Sequence, residues 1–292
     1  MEQAKKNKIS LKDFDPEMQK QIKKELQKRE KRRKRLTVFC SLAAVCCIGY
    51  FGFYYYMTYR TENYRNDLAE RKENSIYTTT VTPSTPGVTV NKTTENIEIP
   101  DILKEYQSLY NSNKSLVGWI KIEDTKIDYP VMQTVNNDYY LTHDFDQNYD
   151  KNGSIFLDTD CSLIPRSTNL IVYGHHMKSG RMFGELDKYS QEEFWAKHPS
   201  FTFDTIYEKG TYLVMYVFRS HIYKEDEIAF KYYQFIDVNS ETEFNSNMNE
   251  MAAMSLYDTG VTAQYGDQIL TLSTCDSSQD AGRFVVVAKK LY

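Results

Sequence analysis

The sequence predicts a mainly β domain, a barrel or a sandwich with peripheral helices, tethered by one N-terminal membrane helix. Three observations carry this. Between residues 117 and 291 lie eight short segments of strand character, divided by turn residues such as Asn152-Gly153, Lys209-Gly210 and Gly266-Asp267. Helices do not alternate with them in βαβ fashion, which points away from a parallel α/β plan. Finally, Leu36 to Tyr59 contains no Asp, Glu, Lys or Arg, and at about 1.5 Å per helical residue such a run crosses a bilayer.

The elements follow in chain order. Residues 1–35 hold 14 of the 36 basic and 6 of the 40 acidic residues, so this segment is strongly positive while the remainder is acidic. Its last five residues, Lys31-Arg32-Arg33-Lys34-Arg35, abut the apolar run. Basic clusters stay cytoplasmic, and tyrosines (Tyr54, Tyr55, Tyr56, Tyr59) crowd the far end of 36–59. The expected topology is single-pass, N-terminus cytoplasmic and C-terminus outside. A cleaved signal peptide fits poorly, because the basic region is long and no small-residue cleavage pattern follows. A basic patch against a membrane on an otherwise acidic chain also argues against nucleic-acid binding; solvation or contact with anionic lipid suffices for it.

Residues 60–96 read as a stalk: polar and helix-compatible over Thr61 to Lys72, then Thr-rich with Pro83, Pro86 and Gly87. A single folded domain is expected over 97–292, long enough for one core. It opens with a helix over Asp101–Asn111, since Ile102, Leu103, Tyr106, Leu109 and Tyr110 recur at helical spacing. Strands are expected at Val117–Ile122, Ile127–Val131, Ser154–Leu157, Asn169–Tyr173, Ser200–Thr205, Gly210–Arg219, Gln268–Thr274 and Phe284–Leu291. Helical interruptions fall at Met182–Tyr189 through Glu192–Ala196 and at Ser240–Leu256, where Phe244, Met248, Met251 and Met254 are read as packing residues.

Cys275 ends one strand and Arg283 opens the next. Antiparallel neighbours would bring them together at a sheet edge. Only a thiolate attacks, and a fixed cation favours it; a lone cysteine is more often a small buried hydrophobe, so the pair alone leaves both readings open. Cys40, Cys46 and Cys47 fall inside the span, leaving Cys161 and Cys275 outside, too few for a disulfide framework. His175 and His176 follow the apolar strand Asn169–Tyr173 and Gly174, at the rim where active sites gather. Adjacent residues on an extended chain face opposite ways and chelate poorly; no metal and no cofactor is expected.

The combination of Thr271-Leu272-Ser273-Thr274-Cys275, Tyr173-Gly174-His175-His176-Met177 and Gly282-Arg283-Phe284-Val285-Val286 resembles the sortases, membrane-anchored cysteine transpeptidases of Gram-positive bacteria. Val117-Gly118-Trp119-Ile120, Ile127-Asp128-Tyr129-Pro130-Val131, Asp138-Tyr139-Tyr140-Leu141, Gly153-Ser154-Ile155-Phe156-Leu157-Asp158 and the helical insertion before the cysteine strand resemble class B. The resemblance implies a closed eight-stranded β-barrel with an N-terminal helix and that insertion. It implies Cys275 as nucleophile, His175 as general acid then base, and Arg283 as oxyanion and substrate clamp. Ser273, Thr274, Asn137 and Leu141 would line the groove, and His176 is given no catalytic role. The implied reaction cleaves a C-terminal sorting signal (NPxTN- or PxTG-like) after Thr through a thioester. The protein is then passed to a peptidoglycan amine, so the implied partners are surface proteins bearing the signal and the cell wall or its precursor. Pilin polymerisation, a silent wall-binding adhesin, and hydrolysis with water as acceptor are the alternatives. An isolated thiol titrates near about 8.5 and an imidazole near about 6.5, so a bell-shaped pH dependence is expected.

Overall fold

The computed structural model describes residues 15–77, 99–276 and 281–292. Helix α1 spans Pro16–Tyr77. Asp15 caps it, its Oδ1 accepting from the amides of Glu17 and Met18 at 2.9 and 3.0 Å, and Pro16 takes the first-turn position where a missing N–H costs nothing. Among the described residues α1 is the one helix long and apolar enough to cross a membrane. Most large side chains of its 36–59 stretch, Phe39, Ile48 and Phe51 among them, are exposed.

The chain forms two compact units, one ending at Asn63 and one from Tyr64 to Tyr292. The latter therefore takes in the last turns of α1, where the polar sequence had suggested a stalk. Leu68 is buried there among domain residues. The Thr-rich stretch expected as linker, 78–94, lies outside the described residues.

Eight strands follow: β1 (Leu116–Lys121), β2 (Asp128–Met132), β3 (Ile155–Leu157), β4 (Asn169–Gly174), β5 (Ser200–Thr205), β6 (Thr211–His221), β7 (Ile269–Asp276) and β8 (Gly282–Lys290). They close into one ring in the order β1-β2-β3-β4-β7-β8-β6-β5. The pairs β2–β3 and β4–β7 are parallel and the rest antiparallel. Alternation explains the packing: Leu270, Leu272, Phe284, Val286 and Ala288 fill the interior, while Ile269, Val285 and Val287 face outward. Helix α4 (Glu241–Met254) covers that outer face with Phe244, Met248 and Met251. Its start is capped from both sides, Ser240 Oγ accepting from Glu243 N and Glu243 Oε2 reaching back to accept from Asn239 N, the residue before the cap.

Two helical expectations shift. Helix α2 (Lys104–Ser112) begins at Lys104, not Asp101, because Leu103 N is drawn into a 2.8 Å bond with Ile206 O at the end of β5. The stretch from Met182 is not helical: Met182 has φ +52° and bridges to His176, and a 3₁₀ turn runs only over Leu186–Ser190 before α3 (Glu192–Lys197).

Candidate active site

The site lies at the rim where β4 and β7 end and β8 begins. The parallel register pairs Gly174 with Thr274, and one residue further along each strand stand His175 and Cys275. Across the antiparallel β7–β8 pair, Cys275 is the partner of Arg283. Three expected site residues thus sit on three adjacent strands at one rim, each step about 5 Å. For Cys275 the placement is that of its backbone.

His175 is oriented by its neighbours. Its Nε2 lies 2.8 Å from the carbonyl oxygen of Leu141, and its own carbonyl accepts from Phe183 N at 3.0 Å. A carbonyl only accepts, so Nε2 carries the proton and Nδ1 is the nitrogen that changes protonation. The Phe183 ring covers Gly174 so closely that a Cβ there would lie 2.9 Å from it.

Leu141 closes the 3₁₀ turn Tyr139–Leu141, whose first amides, Asp138 N and Tyr139 N, donate to Asn136 Oδ1 at 3.0 and 2.9 Å. Behind it Asn137 bridges to the segment after β3, donating to Asp158 Oδ2 at 3.1 Å and accepting from Thr159 N at 2.9 Å. Burial, then the neighbouring Asp158, pushes the Tyr173 phenol far above its ordinary range. Leu141 therefore enters the site through its carbonyl, and Asn137 through a scaffold bond.

The two expected groove residues on β7 are buried. Ser273 is 1% exposed with its hydroxyl 2.8 Å from Tyr232 Oη, and Thr274 is 2% exposed with no partner for its Oγ1 among the described residues. Tyr232 was unmarked in the sequence, lying in an irregular stretch without periodicity; its neighbours Tyr233 and Phe235 were the only signal. Arg283 is half-buried, its Nη1 donating to the carbonyls of Gly282 at 2.9 Å and Ala281 at 3.3 Å.

Two other groups are set apart by geometry. His176 turns to Asp187, Nε2 to Oδ2 3.2 Å, and no metal-type cluster of three His, Cys, Asp or Glu occurs among the described residues. Cys161 is a free thiol, buried, accepting from Ile171 N. Burial pushes it up to about 12, so it stays protonated and inert at neutral pH.

The eight-stranded ring with this rim defines a sortase domain, and the sortase domain family matches residues 120–291. The chain belongs to the sortase family and is a transpeptidase. Its relatives place it with the class B enzymes. It is 36% identical over 202 residues to sortase B of Listeria monocytogenes, covering 68% of this chain and 77% of that one. It superposes on a sortase B of Bacillus anthracis in complex with AAEK1 with TM-score 0.58 and 37% identity, over 66% and 88% of the two chains. A Staphylococcus aureus sortase B–substrate complex matches with TM-score 0.59 and 32% identity, over 65% and 86%.

Proposed function

We propose that Cys275, His175 and Arg283 carry the transpeptidation, on a sorting signal of NPxTN or PxTG type, with a peptidoglycan amine as acceptor. The single observation behind this is the register at the rim, His175 level with Cys275 and Cys275 opposite Arg283. The Cys275 thiolate attacks the threonine carbonyl, forming the S–C bond and moving the carbonyl electrons onto oxygen. Arg283, a permanently charged fork, stabilises that oxyanion. Collapse breaks the C–N bond, and the proton on His175 Nδ1 passes to the departing amine, leaving a thioester. In the second half the acceptor amine attacks the thioester carbon, gives a proton to Nδ1 and expels the thiolate. Throughout, the Leu141 carbonyl keeps the other proton on Nε2.

The same reading takes residues 1–35 as cytoplasmic, 36–59 as the single span, and the domain as extracellular, at the Gram-positive cell membrane. The test is intact-mass analysis of the full-length protein in detergent with a panel of sorting peptides, followed by oligoglycine or a lysine peptide. Acylation of the parent and none of Cys275→Ala is expected. No adduct with any peptide would overturn the assignment and favour a silent surface module. Release to lysine alone would favour pilin joining, and release to water alone would favour hydrolysis.

A further inference from the structure

Tyr64, Leu68 and Lys72 are spaced four apart and share one face of α1. Each is engaged by the domain. Leu68 is 3% exposed in the cluster that contains Tyr140 and Phe145, against which Tyr139 and Leu141 pack. The Lys72 ammonium lies 4.8 Å from the Trp119 ring centre and 5.1 Å from that of Tyr106. Burial lowers its pKa, with Asp204, Asp128 and Glu105 opposing. Tyr64 makes a two-way grip: its hydroxyl donates to Asp146 Oδ2 at 2.8 Å and accepts from Asp146 N at 3.1 Å.

Asp146 is at the tip of a hairpin whose base is the histidine support. The hairpin is closed by Asp144 N to Asn148 O at 2.9 Å, Asp150 N to Thr142 O at 2.9 Å and Ser154 N to Tyr140 O at 2.8 Å. Ser154 Oγ adds a 2.8 Å bond to His143 O. Leu141, at that base, presents the carbonyl that orients His175. Bonded contacts therefore run without a gap from Tyr64 through the hairpin to the imidazole.

We infer that Tyr64 is a positioning residue for His175: by gripping Asp146 it fixes the hairpin that holds the Leu141 carbonyl, so the segment next to the membrane anchor tunes proton transfer. Tyr64 follows the apolar run by five residues, and anchoring and histidine geometry thus share one helix. The inference rests on the proposed role of His175.

The experiment measures steady-state transpeptidation by the full-length protein in nanodiscs for the parent, Tyr64→Phe, Asp146→Ala, the double variant and His175→Ala. Tyr64→Phe keeps the ring in the apolar cluster and removes only the hydroxyl. The expected result is a fall in kcat of about three- to tenfold for each single variant, the scale of one lost hydrogen bond, with KM unchanged. The double variant should be no worse than either single one, and the histidine limb of the kcat–pH profile should move. Parent-like kcat and pH profile in the single variants, with His175→Ala dead, would overturn the inference and spare the site. So would losses that multiply in the double variant, or that vanish when the assay is cooled to restore the folded fraction. Full activity in His175→Ala would instead bring down the site reading, and the inference with it.

Discussion

Gly153 supplies the sharpest test of how the histidine is held. It has φ +58°, and a Cβ built on it would lie 2.3 Å from the Tyr140 carbonyl oxygen and 2.7 Å from that of Leu141. Gly153→Ala therefore strains the molecule twice. A left-handed alanine costs about 1–2 kcal/mol, and restoring a normal separation of about 3.4 Å requires the two carbonyls to retreat by roughly 1.1 and 0.7 Å. Tyr140 O is bonded to Ser154 N at 2.8 Å and Leu141 O to His175 Nε2 at 2.8 Å, so either retreat stretches a bond past its useful range. Together these amount to about 2–4 kcal/mol, a fall in Tm of roughly 4–16 °C for a domain of this size. At a temperature where the variant is fully folded, kcat should still be down about tenfold, because the imidazole has lost the acceptor that fixes its protonated nitrogen. Differential scanning calorimetry and a peptide-transfer assay read the two effects separately. An alanine variant with parental Tm and kcat would refute the argument that Gly153 is required for the Leu141 carbonyl to reach His175.

Other consequences can be checked directly. Leu68→Ala should cost about 2–5 kcal/mol as a buried leucine, read by thermal melting; a loss within about 0.5 kcal/mol would show that the end of α1 does not belong to the domain core. Tyr232→Phe leaves the Ser273 hydroxyl buried without its 2.8 Å partner, and should lower stability by about 1–3 kcal/mol; an unchanged melting curve would contradict that placement. Iodoacetamide at neutral pH, followed by peptide mapping, should leave Cys161 unmodified while labelling Cys275. The folded Cys161 thiol is raised from 9.0 to about 12 by burial, so its contribution to stability is complete below pH 9 and is lost as pH rises through that interval. Stability rising from pH 9 to 12 at this residue, isolated by comparison with Cys161→Ala, would have the wrong sign. The rate of acyl-enzyme formation should be bell-shaped between about pH 6 and 9; a flat profile would count against the Cys275–His175 pairing.

The strands were legible because alternation is local. Ser200–Thr205 was placed to the residue, and the segment read as Gly210–Arg219 is a strand over Thr211–His221. Elements set by distant groups were not legible. The N-terminus of α2 is fixed by the Ile206 carbonyl, about a hundred residues away. The last turns of α1 looked like stalk because only Leu68 of the Tyr64–Leu68–Lys72 face is aliphatic, and the other two are held by a hydroxyl and a cation–π contact. At the site, side-chain types flagged Cys275, His175 and Arg283. A sequence shows no backbone carbonyls, so the part played by Leu141 O was invisible, and Leu141 was read only as a groove side chain.

Residues a hundred positions apart meet here because β4 and β7 run parallel. In an antiparallel pair the end of one strand faces the beginning of the other; in a parallel pair both C-terminal ends emerge at the same rim. The ring thus gathers two strand ends, at His175 and Cys275, and across the antiparallel β7–β8 pair one strand start, at Arg283. A one-residue slip of β7 would exchange its inner and outer faces, burying Thr271 and Ser273 toward the aliphatic interior. Buried polar bonds oppose that slip. Asn169, fully buried, accepts from Thr271 Oγ1 at 3.0 Å and donates to Phe235 O at 2.8 Å, and Ser273 meets Tyr232 on the same outward face. A slipped strand would orphan all of these groups at about 1–3 kcal/mol each. Thr271 and Ser273 therefore act first as register locks, and the alignment of the rim depends on them.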